Sequence, residues 1–141
     1  MATSGLRILG VYETVLYAPD PLAAAAFYRE ALGLEPVEDP DELSAAFRLL
    51  DGGVLLIFNP QKSSLPGRPV PSHGSAGPGH VAFGLDPGAY EEALAALRDK
   101  GIEIEREVDW DRGRSIYFRD PAGNSVELVD GDIWPRPDAE S

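Results

Sequence analysis

The chain has 141 residues, enough for one domain or two very small halves that share a core. It carries 24 acidic against 12 basic side chains, a net charge of −12, so no basic face is available for nucleic acid or for an anionic membrane surface. Hydrophobic residues make up 43% and there is no cysteine, which argues for a globular fold and excludes disulfides, thiolate catalysis, iron–sulfur clusters and Cys-type zinc sites.

Val11 to Ala18 (VYETVLYA) is β-branched and aromatic and is expected to form a strand. Asp20-Pro21 is a capping side chain followed by Pro at the first helical position, so a helix is expected over Leu22 to Leu32, stopped by Gly33. The run Ala23 to Ala26 reads as helix propensity and close packing. A short strand near Leu34 to Val37 precedes a hairpin, Ser44 to Leu50 and Val54 to Phe58, around Asp51-Gly52-Gly53. From Pro60 to Gly79 the chain is dense in Pro and Gly and reads as a loop. The pattern then recurs. His80 to Leu85 is a strand, Asp86-Pro87 repeats the helix start, and Tyr90 to Lys100 is an amphipathic helix closed by Gly101. A strand is expected at Ile102 to Val108, then a hairpin of Arg114 to Phe118 and Ser125 to Val129 around Asp120 to Asn124. The tail from Asp130 carries Pro135 and Pro137, which forbid regular structure.

Each half is thus strand, helix and three strands, with modules at about 8–60 and 79–130. Two copies of a unit too small to bury its own face must curl around a shared space. The expected fold is α+β, two paired βαβββ modules forming a cupped mixed sheet within one domain.

Superposing the halves exposes three polar residues in apolar strands. Glu13 opens the first strand of half one, and His80 opens the equivalent strand of half two. Glu127 lies between Val126 and Leu128, at the place of Leu56 in half one. Singly, each has an ordinary reading: Glu13 as a solvent-facing acid or a salt-bridge partner of Arg7 or Arg114, His80 as a strand-end residue, Glu127 as an edge-strand acid left in water. An acid among branched apolar neighbours is costly to bury unpaired, however. If the three converge on one cavity, an imidazole and two carboxylates make a facial-triad type of metal site with positions open to water or substrate.

Further residues are expected around the same space. Tyr117, across the hairpin from Glu127, is a donor to a bound oxygen or a core aromatic. Tyr17 alternates with Glu13 and shares its face. Asn59 reads as a substrate contact or a turn residue. Arg68 and His73 lie in the central loop, and Arg114 is suited to an anionic substrate or to neutralising the carboxylates. Trp110 and Trp134 would close the cavity mouth or pack a partner.

Three stretches, FYREALGL (Phe27 to Leu34), GHVAFGL (Gly79 to Leu85) and YFRDPAGNSVEL (Tyr117 to Leu128), resemble the vicinal oxygen chelate superfamily, the glyoxalase, bleomycin resistance protein and extradiol dioxygenase family. The resemblance runs from about Val11 to Val129. It implies a cupped sheet around one divalent metal ion (Fe, Mn, Zn or Ni) that chelates adjacent oxygens of a small-molecule substrate. It also implies a homodimer, sometimes with exchanged modules. By that resemblance His80 and Glu127 match metal ligands, Glu13 stands where the family usually has His, and Leu56 stands where glyoxalase I has a fourth ligand, a Glu. The function implied is a metal-dependent lyase, isomerase or extradiol-type dioxygenase in which Glu127 and Tyr117 are catalytic. The alternative is a non-catalytic bleomycin-resistance-type protein that sequesters a cationic small molecule. The expected location is the cytoplasm, since Met1 to Arg7 lacks a signal-peptide pattern and no apolar run is long enough for a membrane span.

Overall fold

In a computed structural model the chain is described over residues 5–136. The first four and last five residues, Pro137 among them, lie outside that range. The elements are β1 (Glu13–Tyr17), α1 (Pro21–Leu32), β2 (Glu35–Pro36), β3 (Ser44–Arg48), β4 (Val54–Phe58), α2 (Pro60–Ser63), β5 (His80–Gly84), α3 (Tyr90–Asp99), β6 (Arg106–Trp110), β7 (Gly113–Arg119) and β8 (Ser125–Gly131). They form two four-stranded mixed sheets, ordered β1-β4-β3-β2 and β5-β8-β7-β6. In each, the first strand runs parallel to the last, and the remaining pairs are antiparallel. The βαβββ unit expected from the sequence is present twice. Among the described residues no helix is long and apolar enough to cross a membrane.

Strand alternation divides each sheet into a core face and an inner face. In the first module Leu16, Ala45, Phe47, Leu55 and Ile57 are buried beneath α1, and in the second Ile116, Phe118, Val126 and Leu128 are buried with Leu94 and Leu97 of α3. Small residues let α1 lie close: Ala24, Ala25, Tyr28 and Ala31 make its buried stripe. Asp20 caps it by accepting from the Leu22 and Ala23 amides, and Gly33, at φ 68°, ends it in the left-handed conformation.

Three local expectations change. The strand expected over Ile102 to Val108 lies at β6, because Ile102 and Ile104 pack onto the core as an irregular segment and ladder pairing with β7 begins only at Arg106. Asp86-Pro87 does not repeat the cap: α3 starts at Tyr90 without a side-chain cap, and the Gly88 amide donates instead to the Asp130 carboxylate. The central loop contains one short helical turn, α2, capped by Asn59.

The two modules are tied at the β7–β8 turn. Asp120, 4% exposed, accepts the Tyr28 hydroxyl from α1 at 2.7 Å, the Ala122 and Asn124 amides at 2.9 Å each and the Asn124 side-chain amide at 3.0 Å. Asn124 in turn donates to the Tyr17 carbonyl of β1 at 3.0 Å and accepts the Gly79 amide at 2.7 Å. Phe27 packs against Phe118 beside this knot, and the Lys100 ammonium donates to the Ala31 carbonyl.

Asn124→Ala leaves the Gly79 amide and the Tyr17 carbonyl without these partners. It should cost about 2–4 kcal/mol, read as a Tm lowered by roughly 5–15 °C. Tyr28 gives a pH signature. Burial, reinforced by the Asp120 carboxylate, holds its phenol far above the usual tyrosine range. The folded state therefore keeps this proton more tightly than the unfolded chain does. The stabilisation is complete below the ordinary value of about 10 and is lost as pH rises beyond it. Melts from pH 8 to 11 should show a shallower alkaline loss of Tm in Tyr28→Phe than in the parent.

Candidate metal centre

The inner face of the second module is built by register. Ala82 pairs with Glu127, Tyr117 pairs with Glu127 on the other side, and His80 pairs with Ser125, so His80, Glu127 and Tyr117 share one face of three adjacent strands. Glu127 lies on β8, the second strand from the β5 edge, and is 5% exposed. Its Oε1 stands 3.2 Å from His80 Nε2, and its Oε2 accepts the Ser115 hydroxyl at 2.5 Å.

The His80 ring is oriented from behind. Its Nδ1 lies 3.0 Å from the Ser125 carbonyl, an acceptor only, so Nδ1 carries the proton in that bond. In the neutral ring Nε2 then presents a lone pair towards a carboxylate oxygen, two donors facing each other across a gap a cation would fill. Two ligand atoms each about 2.1 Å from one ion and at right angles stand about 3 Å apart, so the 3.2 Å separation suits neighbouring positions on one metal. The His80 side chain is half exposed, so the pair is open to solvent on the inner face. Tyr117 stacks along His80, with ring centroids 6.4 Å apart. Burial, then hydrogen bonding to the Glu127 carboxylate, holds its phenol above the usual tyrosine range, so it remains a proton donor.

The first module repeats the register with different chemistry. Glu13 pairs with Val54 and Val15 with Leu56, so Glu13 occupies the place of His80 and Leu56 that of Glu127. Within one chain, however, no three His, Asp or Glu side chains among the described residues gather around a common point. The strand direction explains this. β1 meets the second module at its C-terminal end, where Tyr17 touches Asn124 and Leu16 touches Gly79. Glu13 begins the same strand about 13 Å away, four rises of about 3.3 Å upstream.

Tyr17 shares the Glu13 face, as expected. Its hydroxyl shares a hydrogen bond with His73 Nδ1 at 2.7 Å, and the His73 ring stands edge-on to Phe58 at 4.7 Å. Arg68 lies over the same Phe58 ring and donates to the Ser63 carbonyl. The central loop thus folds back over the inner face of the first module. Among the described residues Arg68 and Arg114 are the half-buried cations, and Arg68 has no carboxylate within ion-pair distance.

Two expected contacts are engaged elsewhere. The Asn59 side chain is buried and accepts the Gln61 amide as the cap of α2. Arg114 projects to the helix side of its strand, opposite Ser115 and Tyr117. There it lies 3.8 Å over the Tyr90 ring and pairs with Glu91, Asp109 and Glu107. Tyr90 donates to Glu107, and burial and that bond push its phenol up to about 12. The pairing of Glu13 with Arg114 is likewise not formed. Ser115 was not singled out for this site, although it is a small polar residue two positions before Tyr117 and alternation puts it on the same face.

A sequence profile of the Glyoxalase/Bleomycin resistance protein/Dioxygenase superfamily matches residues 10–128. A lactoylglutathione lyase from Agrobacterium tumefaciens superposes with a TM-score of 0.85 at 38% identity, over 92% of this chain and 98% of that one. The metallothiol transferase FosB of Staphylococcus saprophyticus is 30% identical over 114 residues, 79% of this chain and 70% of that protein. Biphenyl-2,3-diol 1,2-dioxygenase 3 of Rhodococcus globerulus is 40% identical over 73 residues, and the match spans 51% of this chain but 37% of that enzyme. Duplicated βαβββ sheets, the Asp120 to Asn124 turn that leads into Glu127, and a profile match over residues 10–128 agree: the chain belongs to the Glyoxalase/Bleomycin resistance protein/Dioxygenase superfamily.

Proposed function

We propose that the protein is a metal-dependent enzyme that takes a small, oxygen-rich molecule through two adjacent oxygens. The observation that carries this reading is the facing pair of His80 Nε2 and Glu127 Oε1, 3.2 Å apart on an open sheet face. When bound there, a divalent ion (Fe, Mn, Zn or Ni) would polarise a substrate oxygen and stabilise developing enolate or alkoxide charge. Tyr117 keeps its proton and donates it to a substrate oxygen beside Glu127. The likeness to the lactoylglutathione lyase over nearly the whole of both chains favours a lyase or isomerase reaction over dioxygen chemistry, since the dioxygenase match covers a minor part of that enzyme.

Glu13 is the third ligand in this reading, and it comes from a second copy of the chain. β1 and β5 are edge strands, and the inner face of the first module presents half-buried Val15, Val54, Leu56 and Phe58. In a homodimer that sets the first module of one copy over the second module of its partner, Glu13 reaches His80 and Glu127 and the apolar face is covered. Tyr17, Arg68 and His73 travel with Glu13 and line the opposite wall. Arg68, without a carboxylate partner among the described residues, meets an anionic end of the substrate.

Protein purified without chelator or nickel resin should hold near-stoichiometric metal by elemental mass spectrometry, and His80→Ala and Glu127→Ala should each retain less than about a tenth of it. A parent that binds none of Fe, Mn, Zn or Ni on titration would sink the enzyme reading. Given the −12 charge, binding of a cationic aromatic ligand by that metal-free parent would then support the sequestering alternative.

Glu13→Ala and His80→Ala, mixed under conditions of subunit exchange, should regain metal at about one site in four, because each mixed dimer has one intact site. A mixture that regains none would tie Glu13 to the His80 of its own chain, and a Glu13→Ala protein that keeps its metal unmixed would place Glu13 outside the site.

A further inference from the structure

Ser115 is the third of the seven residues of β7, fully buried, and its hydroxyl joins two groups of fixed polarity. The indole Nε1 of Trp110, which can only donate, reaches Ser115 Oγ at 2.8 Å. Ser115 Oγ lies 2.5 Å from Glu127 Oε2, which as a carboxylate can only accept. The hydroxyl proton therefore has one orientation, and the three groups form a directed chain, Trp110 to Ser115 to Glu127. Alternation explains why they meet: Trp110 of β6 and Ser115 and Tyr117 of β7 project to the inner face, while Glu107, Asp109 and Arg114 project to the helix side.

We infer that Ser115, held by Trp110, is the positioning residue that reserves one oxygen of Glu127 for the protein and leaves the other for the metal, making Trp110 a built-in reporter of that carboxylate. This rests on the metal reading above. With Oε2 held, Oε1 is the oxygen that faces His80, so Glu127 is a one-oxygen ligand. The second oxygen is kept from chelating, and a coordination position stays free for substrate. Trp110 is 43% exposed at the sheet edge, so its ring is not needed to fill the core.

The test uses Mn2+ as the probe, counted by the loss of the free-ion EPR signal, in a Trp134→Phe background where Trp110 is the remaining indole. Ser115→Ala should weaken Mn2+ binding about 10–100-fold and Trp110→Phe about 3–10-fold, measured at a temperature where each variant is fully folded by its melt. The double variant should be no weaker than Ser115→Ala alone, since the two act in series. Mn2+ binding should shift the Trp110 emission, and Ser115→Ala should abolish the shift. In metal-free protein Glu127→Gln should shift the same emission, and Ser115→Ala should abolish that effect too. Binding within twofold of the parent in Ser115→Ala, or independent additive losses in the double variant, would overturn the inference. A parent that takes up no Mn2+, Fe, Zn or Ni would instead overturn the metal reading, and the metal-free emission would still decide whether the chain from Trp110 to Glu127 exists.

Discussion

The Asp120 carboxylate is the constraint on which the arrangement depends. It accepts four hydrogen bonds within a buried turn, one of them from α1 of the other module. Removing those donors singly would leave a carboxylate short of partners in a low-dielectric site, where each unmet bond is expensive. The same turn places Asn124 between the Tyr17 carbonyl and the Gly79 amide, so the end of β1 and the start of β5 are set relative to one another by a single side chain. Because β8 leaves this turn directly, the turn also sets the height of Glu127 on the sheet, three residues on from Asn124.

Above that knot, period-2 alternation separates two kinds of chemistry on strands β7 and β8. Ile116, Phe118, Val126 and Leu128 point to the core and fix the sheet by burial. Ser115, Tyr117 and Glu127 point the other way, where Ser115 donates to Glu127 and Tyr117 stacks on His80. A one-residue slip would exchange these sets, burying the acid among apolar side chains, so the hydrophobic pattern itself secures the position of the polar site. Arg114 shows the same rule from the other side: one position from Ser115, it belongs to a surface ion-pair cluster over Tyr90.

The duplicated halves have diverged at equivalent positions. The place that holds Glu127 in the second module holds Leu56 in the first, and the place of His80 holds Glu13. Half-buried apolar residues around Leu56 give the first module a wall where the second has a polar centre. The first module thus presents an apolar inner face where the second presents a polar one.

Much of this was legible in the residues alone. Period-2 strands, the Asp20-Pro21 and Gly33 helix limits, and the repeat that aligned Leu56 with Glu127 are local or pairwise patterns, and each appears in the fold because backbone chemistry and alternation act over a few residues. The displaced β6 and the uncapped α3 were not legible, since they depend on which backbone groups find tertiary partners: Ile102 and Ile104 pack rather than pair, and Asp130, more than forty residues away, takes the Gly88 amide. The site divides in the same way. Composition and spacing singled out His80 and Glu127 as polar residues in apolar strands. Only the folded sheet shows the 3.2 Å between them, the hydroxyl of Ser115 on the far oxygen, and Arg114 turned away, because those relations are set by register between strands that no local pattern encodes.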